Sequence, residues 1–142
     1  MILYLDTSSL LKLYVEEAGT REVESRVEAA DVVATSVIAY PEAHAALARR
    51  RREGALTRSE LRIALDRFRD SWFRYLAVSL SSPVYVRAGA LAITHGLRGM
   101  DAIHLSSYIE LFAPGETVTF LSHDARLMHA AAKESRGHRR PQ

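Results

Sequence analysis

Four acidic residues stand apart from the rest of this chain. Most of its aspartates and glutamates lie among arginines on helical stretches and read as solvated faces. Asp6 instead ends the apolar run Ile2-Leu3-Tyr4-Leu5, and Asp124 follows Phe120-Leu121-Ser122-His123. Asp101 opens a helical stretch behind the loop Leu97-Arg98-Gly99-Met100. Glu42 lies in the first turns of the alanine-rich stretch behind Val32-Val33-Ala34-Thr35. Carboxylates gathered in one place repel unless a cation holds them. An all-oxygen donor set suits magnesium or manganese, with waters completing the shell. Such a site activates water and neutralises charge on a phosphodiester, so the chemistry would be metal-assisted phosphoester hydrolysis. The plainer alternative is scattered caps and surface charges, with Asp6 merely capping the helix after it. Residue types and spacing alone leave both open.

The elements that must position these acids alternate in kind. Ile2 to Leu5 is too short for a helix and reads as a strand buried on both faces. Thr7, Ser8 and Ser9 are candidate N-caps for a helix carrying Leu10, Leu11, Leu13, Tyr14 and Val15. Thr20 to Ala29 is a short surface helix, and Val32 to Thr35 a second strand. The next helix starts near Tyr40, with Pro41 in its first turn where a missing N–H does no harm, and ends at Gly54. Thr57-Arg58-Ser59-Glu60 is a capping box opening a long helix to about Tyr75. Its apolar stripe, Leu61, Ala64, Leu65, Phe68, Trp72 and Phe73, reads as core or dimer contact. Leu76 to Leu80 is a third strand. Ser82 caps a helix with Pro83 in its first position, ending at Gly96. Asp101 to Phe112 is a helix, Thr117 to Leu121 a fourth strand, and Ala125 to Ser135 a last helix closed near Gly137. His138 to Gln142 reads as a frayed tail. Strands alternating with helices predict a three-layer α/β/α sandwich with a mainly parallel central sheet. All four acids would then project towards one sheet edge, the carboxyl ends of the strands, where open α/β sheets bind ligands.

Length and composition set outer bounds. The 142 residues suit one domain over residues 1–142. Cysteine is absent, which excludes disulfides, zinc–thiolate sites and cysteine nucleophiles. No apolar run reaches the roughly 18 residues of a membrane span, and no basic segment precedes Ile2 as in a signal peptide. A cytoplasmic protein is expected. The net charge of +2 does not by itself indicate nucleic acid, although the arginines cluster.

Four stretches carry a resemblance. They are Ile2-Leu3-Tyr4-Leu5-Asp6-Thr7-Ser8, Tyr40-Pro41-Glu42 with its alanine-rich helix, Leu97-Arg98-Gly99-Met100-Asp101-Ala102-Ile103-His104-Leu105, and Phe120 to Leu127 with Ala130-Ala131-Ala132. In this order the chain resembles a PIN-domain ribonuclease, most closely the VapC toxins of bacterial type II toxin–antitoxin systems. The resemblance implies a PIN-like fold and an acidic metal site of Asp6, Glu42, Asp101 and Asp124. It also implies an Mg²⁺- or Mn²⁺-dependent endoribonuclease acting on RNA, restrained by a cognate antitoxin protein and commonly a homodimer. Ser8 and Ser122 match small hydroxyl positions near the metal. The polar ending departs from the pattern, since a final edge strand is usual in this fold. A catalytically silent PIN-like module acting only through its protein partner is the alternative, and the complete acidic quartet argues against it.

Other residues carry two readings each. Arg98 precedes Asp101 and suits a substrate phosphate or a plain surface loop. His104, three residues after Asp101, either orients that carboxylate or is a packed, hydrogen-bonded histidine. His123 is expected to point away from the neighbouring Asp124. Arg49 to Arg52 suit RNA backbone or an antitoxin's acidic segment, but a basic helix end offsetting the macrodipole is the plainer account.

Overall fold

The computed structural model describes residues 1–138 of the chain. Among the described residues four strands and seven α-helices alternate as expected, beginning with β1 (Ile2–Leu5) and α1 (Thr7–Leu11). Then come α2 (Thr20–Ala29), β2 (Val32–Ser36), α3 (Ala39–Arg52) and α4 (Arg58–Ser71). After α4 the chain forms β3 (Leu76–Val78), α5 (Ser82–His95), α6 (Gly99–Glu110), β4 (Val118–Leu121) and α7 (Ala125–His138). The strands form one sheet in the order β3-β2-β1-β4, with every pairing parallel.

Alternation along β1 divides the core in two. Leu3 and Leu5 point into one apolar cluster, with Leu10, Leu11, Val23, Leu47 and Phe68 from α1 to α4. Tyr4 points into the other, with Val84, Leu91, Leu105, Leu127 and Ala131 from α5, α6 and α7. Helices therefore cover both faces, which gives the three layers expected. A strand buried on both sides must be apolar throughout, and residues 3–5 are wholly buried. Among the described residues no helix is long and apolar enough to cross a membrane.

Several boundaries differ from the expectation. The helix expected to reach Tyr75 stops at Ser71 and continues as a 3₁₀ turn, Trp72–Arg74. The Ser71 hydroxyl donates back to the Arg67 and Phe68 carbonyls, which loosens the last α-helical turn. Phe73 is 79% exposed and does not join the core. Phe68 and Trp72, four apart, point inwards, and the next residue is rotated away from them by about 100°. The residue capping α5 is Ser81 rather than Ser82, and it makes no side-chain capping bond. The last helix does not close at Gly137 but runs through it to His138. The His138 ring packs against Phe112 there, at 4.6 Å between centroids, while a single helical glycine costs only about 1 kcal/mol. Residues 139–142, the rest of the expected tail, lie outside the described residues. Any final edge strand formed there does too.

Thr57 accepts from the Glu60 amide at 3.1 Å, and Glu60 accepts from the Thr57 amide at 2.9 Å, which completes the expected capping box. Thr57→Ala should lower stability by about 1 kcal/mol in urea unfolding, through loss of this N-cap alone. The acidic edge lies in other elements and should be untouched.

Candidate functional site

Leu5 of β1 pairs with Leu121 of β4, so the chain leaves both strands at one place on the sheet edge. Asp6 is buried there. Its Oδ1 accepts from the Ser9 amide at 3.0 Å and so caps α1. Its Oδ2 accepts from the Ser122 hydroxyl at 2.6 Å. The Ser122 Oγ in turn accepts from the Asp124 amide at 3.0 Å. Asp124 repeats the capping at α7, with Oδ1 accepting from the Leu127 amide at 3.0 Å. Capping and site building thus coincide: each aspartate commits one oxygen to a helix start.

Glu42 enters from the first turn of α3. Its Oε1 receives the Thr7 hydroxyl at 2.6 Å and His104 Nε2 at 2.9 Å. His104 is buried, and its Nδ1 lies 2.9 Å from the Tyr4 hydroxyl. Burial holds the Tyr4 phenol neutral, its pKa well above the ordinary value. A ring nitrogen facing a carboxylate oxygen carries the proton, so Nε2 donates to Glu42 and Nδ1 accepts from Tyr4. Burial alone would raise the Glu42 pKa, but the bonds from His104 and Thr7 outweigh it and the net shift is downwards.

Asp101 sits in the first turn of α6. Its pKa is raised, first by burial and then by the charge of Asp124, with smaller contributions from Asp6 and Glu42; His104 opposes them. The four sequence-predicted carboxylates therefore share one electrostatic neighbourhood. Among the described residues no three His, Asp or Glu side chains close into a ready-made metal cage. A cavity of about 380 Å³ opens beside Asp101 and Asp124, with Leu97, Arg98 and Arg126 completing its lining.

The structure separates the other candidates. Ser122 joins the site, whereas Ser8 is exposed and Thr7 and Ser9 make the polar contacts on either side of it. His104 is the packed, hydrogen-bonded histidine, and the carboxylate it holds is Glu42 rather than Asp101. His123 points away from the acids, as expected, towards Ser9 Oγ at 3.2 Å and Glu22 at 3.3 Å. It fills the space beside Gly19, where φ is +92° and a Cβ would lie 2.6 Å from His123 Nε2. Arg49 and Arg50 pair with Glu53 and Glu17, and all four arginines fall in the last turn of α3. Sequence reading missed Thr7, the Glu42–His104 pairing and Arg126. Only Arg126 left a local trace, a cation in a first helical turn where the macrodipole disfavours it.

Residues 3–133 match the PIN domain family. Two relatives from Mycobacterium tuberculosis, Ribonuclease VapC45 of strain CDC 1551 / Oshkosh and Ribonuclease VapC49 of strain H37Rv, are each 38% identical over 117 residues. Each alignment covers 82% of this chain and 81% of the relative. The chain belongs to the VapC group of PIN-domain ribonucleases. The crystal structure of FitAcB from Neisseria gonorrhoeae matches its fold with a TM-score of 0.64 at 20% identity, covering 93% of this chain and 94% of the other.

Two predictions follow from the geometry of this PIN domain. Tyr4→Phe keeps the ring stacked on Phe120 but leaves His104 Nδ1 buried without a donor. Urea unfolding should show a loss of about 1–3 kcal/mol. Asp101 is the opposite case. A carboxyl whose folded pKa is raised contributes stability below its unfolded pKa and loses that contribution as pH rises through its folded value. Metal-free Asp101→Asn should therefore melt higher than the parent at pH 7. The difference should vanish as pH falls through the ordinary aspartate value of about 3.9. Melting curves in EDTA across that range check the sign.

Proposed function

We propose that this protein is the toxin of a toxin–antitoxin pair, a divalent-metal-dependent endoribonuclease with Asp6, Glu42, Asp101 and Asp124 as its acidic centre. The observation that carries this is the gathering of acids at one sheet edge: the Asp101 pKa is raised by burial and then by the charges of Asp124, Asp6 and Glu42. A fold does not retain such a cluster for stability, and a hard cation relieves it. The donor set is carboxylate oxygen throughout, which fits Mg²⁺ or Mn²⁺ and not a thiolate-seeking metal. The open arrangement suits a cation that keeps several waters and takes few protein ligands. When bound, such a cation supplies an acidified water and neutralises phosphate charge.

The chain's own residues supply placement. Thr7 and His104 hold the Glu42 carboxylate ionised and fixed in direction. Ser122 ties Asp6 to the strand end that leads to Asp124. Arg98, exposed at the start of α6, offers a guanidinium to a substrate phosphate. A cognate antitoxin restrains the enzyme in the cytoplasm, and a homodimer is supported by the outward face of α5. There Val86 and Ile93 are 65% and 87% exposed. Residues 1–142 act as one domain.

RNA cleavage should require Mg²⁺ or Mn²⁺, stop with EDTA, and leave 5′-phosphate and 3′-hydroxyl ends. A 2′,3′-cyclic phosphate product would remove activated water as the nucleophile and overturn the metal reading. Expression alone should arrest growth, and Asp6→Asn at equal protein level should relieve the arrest. Equal toxicity of the variant would mean that toxicity is not catalytic.

A further inference from the structure

We propose that Arg126 binds substrate phosphate, as the second arm of a two-arginine clamp with Arg98 facing Asp101 and Asp124. The inference rests on the ribonuclease reading above and adds a binding residue to it. The cavity beside the acids is lined by two aspartates, two arginines and Leu97. Oppositely charged side chains this close would ordinarily pair. Among the described residues neither Arg98 nor Arg126 forms an ion pair. Both cations therefore remain available to an anion, while the carboxylates beside them remain available to a cation.

The placement of Arg126 is unfavourable for the helix that carries it. It is the second residue of α7, where the helix end is already positive and a cation is unfavourable. Asp124 caps that end through the Leu127 amide, so no guanidinium is needed there. Arg126 instead reaches to α5 and donates one N–H, from Nη1, to the Gly96 carbonyl at 3.2 Å. Gly96 closes α5 with φ +61°, so its carbonyl belongs to the hydrogen-bonded turn that ends the helix. That single bond orients the guanidinium and leaves its other N–H donors free. Arg98 approaches from the N-cap of α6, at the end of the same short loop. A phosphodiester in the cavity would meet guanidinium donors from two helices on one side. On the other it would meet the acidic centre that handles the bond to be cut. Arginine suits this role because its planar fork matches two phosphate oxygens and stays charged at any working pH.

The test uses a randomised-sequence single-stranded RNA pool. Binding is measured in the Asp6→Asn background, which is not expected to cut, and steady-state cleavage in the wild-type background with Mg²⁺. Arg126→Ala should weaken binding by about tenfold. It should also lower the slope of log affinity against log salt by about 0.7, the signature of one lost phosphate contact on single-stranded nucleic acid. KM should rise with kcat little changed, because a phosphate contact is present in both ground and transition states. Arg126→Lys, which keeps the charge, should recover most of the salt slope. An Arg126→Ala protein with parental binding, salt slope and KM would overturn the proposal, and a lowered melting temperature alongside would leave Arg126 as an anchor for Gly96. If the parent neither binds nor cuts the pool, the ribonuclease reading itself falls; if the parent does both and Arg126→Ala matches it, that reading stands and this inference fails.

Discussion

A single hydroxyl joins the two halves of the acidic edge. Ser122 donates to Asp6 Oδ2 and accepts from the Asp124 amide, so the ends of β1 and β4 are tied by one oxygen. The parallel pairing of Leu5 with Leu121 sets the distance, and the serine sets the direction. Each aspartate uses a second contact to start a helix, Asp6 for α1 and Asp124 for α7. The exit of two strands, the start of two helices and the placement of two carboxylates are therefore one constraint. An alanine at position 122 would lose both bonds together, which is unusual for a residue so small.

Capping offers a reason why acids can be held here at all. A helix N-terminus stabilises an anion by about 0.3–1 kcal/mol, and each backbone amide that donates to a carboxylate adds to that. Asp6 and Asp124 both receive such a bond, and Glu42 receives two from side chains. Among the described residues the Asp101 carboxylate has no such donor, and burial together with the charge of Asp124 raises its pKa. The repulsion is thus unevenly shared: three carboxylates are compensated locally, and the fourth carries the excess. The cation proposed for this site would relieve that poorly compensated charge first.

The order of elements was legible because periodicity and punctuation agreed. Short apolar runs marked the strands, the Thr57–Glu60 box marked the start of α4, and Gly96 marked the end of α5. Where neighbours from elsewhere decide the outcome, local signals failed. Nothing near Phe73 says that its helix tightens into a 3₁₀ turn and turns that ring to solvent. The acids were legible for a different reason. In a parallel sheet every strand's carboxyl end faces the same way, so position along the chain translates directly into position in space.

The contacts between acids and their holders were not legible, and the case of His104 shows why. Helical spacing linked it to Asp101, three residues earlier, and that inference respects the geometry of an isolated helix. What decided its direction was Tyr4, a hundred residues away on the central strand. The phenol is buried among aromatic rings, kept neutral, and holds its oxygen 2.9 Å from the His104 Nδ1. The ring so placed turns Nε2 towards the ionised Glu42, which sets the tautomer: Nε2 carries the hydrogen and Nδ1 accepts from the phenol. Thr7 closes the arrangement from α1 by donating to the same carboxylate oxygen. A strand, three helices and four side chains thus agree on the direction of one carboxylate. Such agreement belongs to the packed core rather than to any local stretch, and it explains why the acid is visible in the sequence and its support is not.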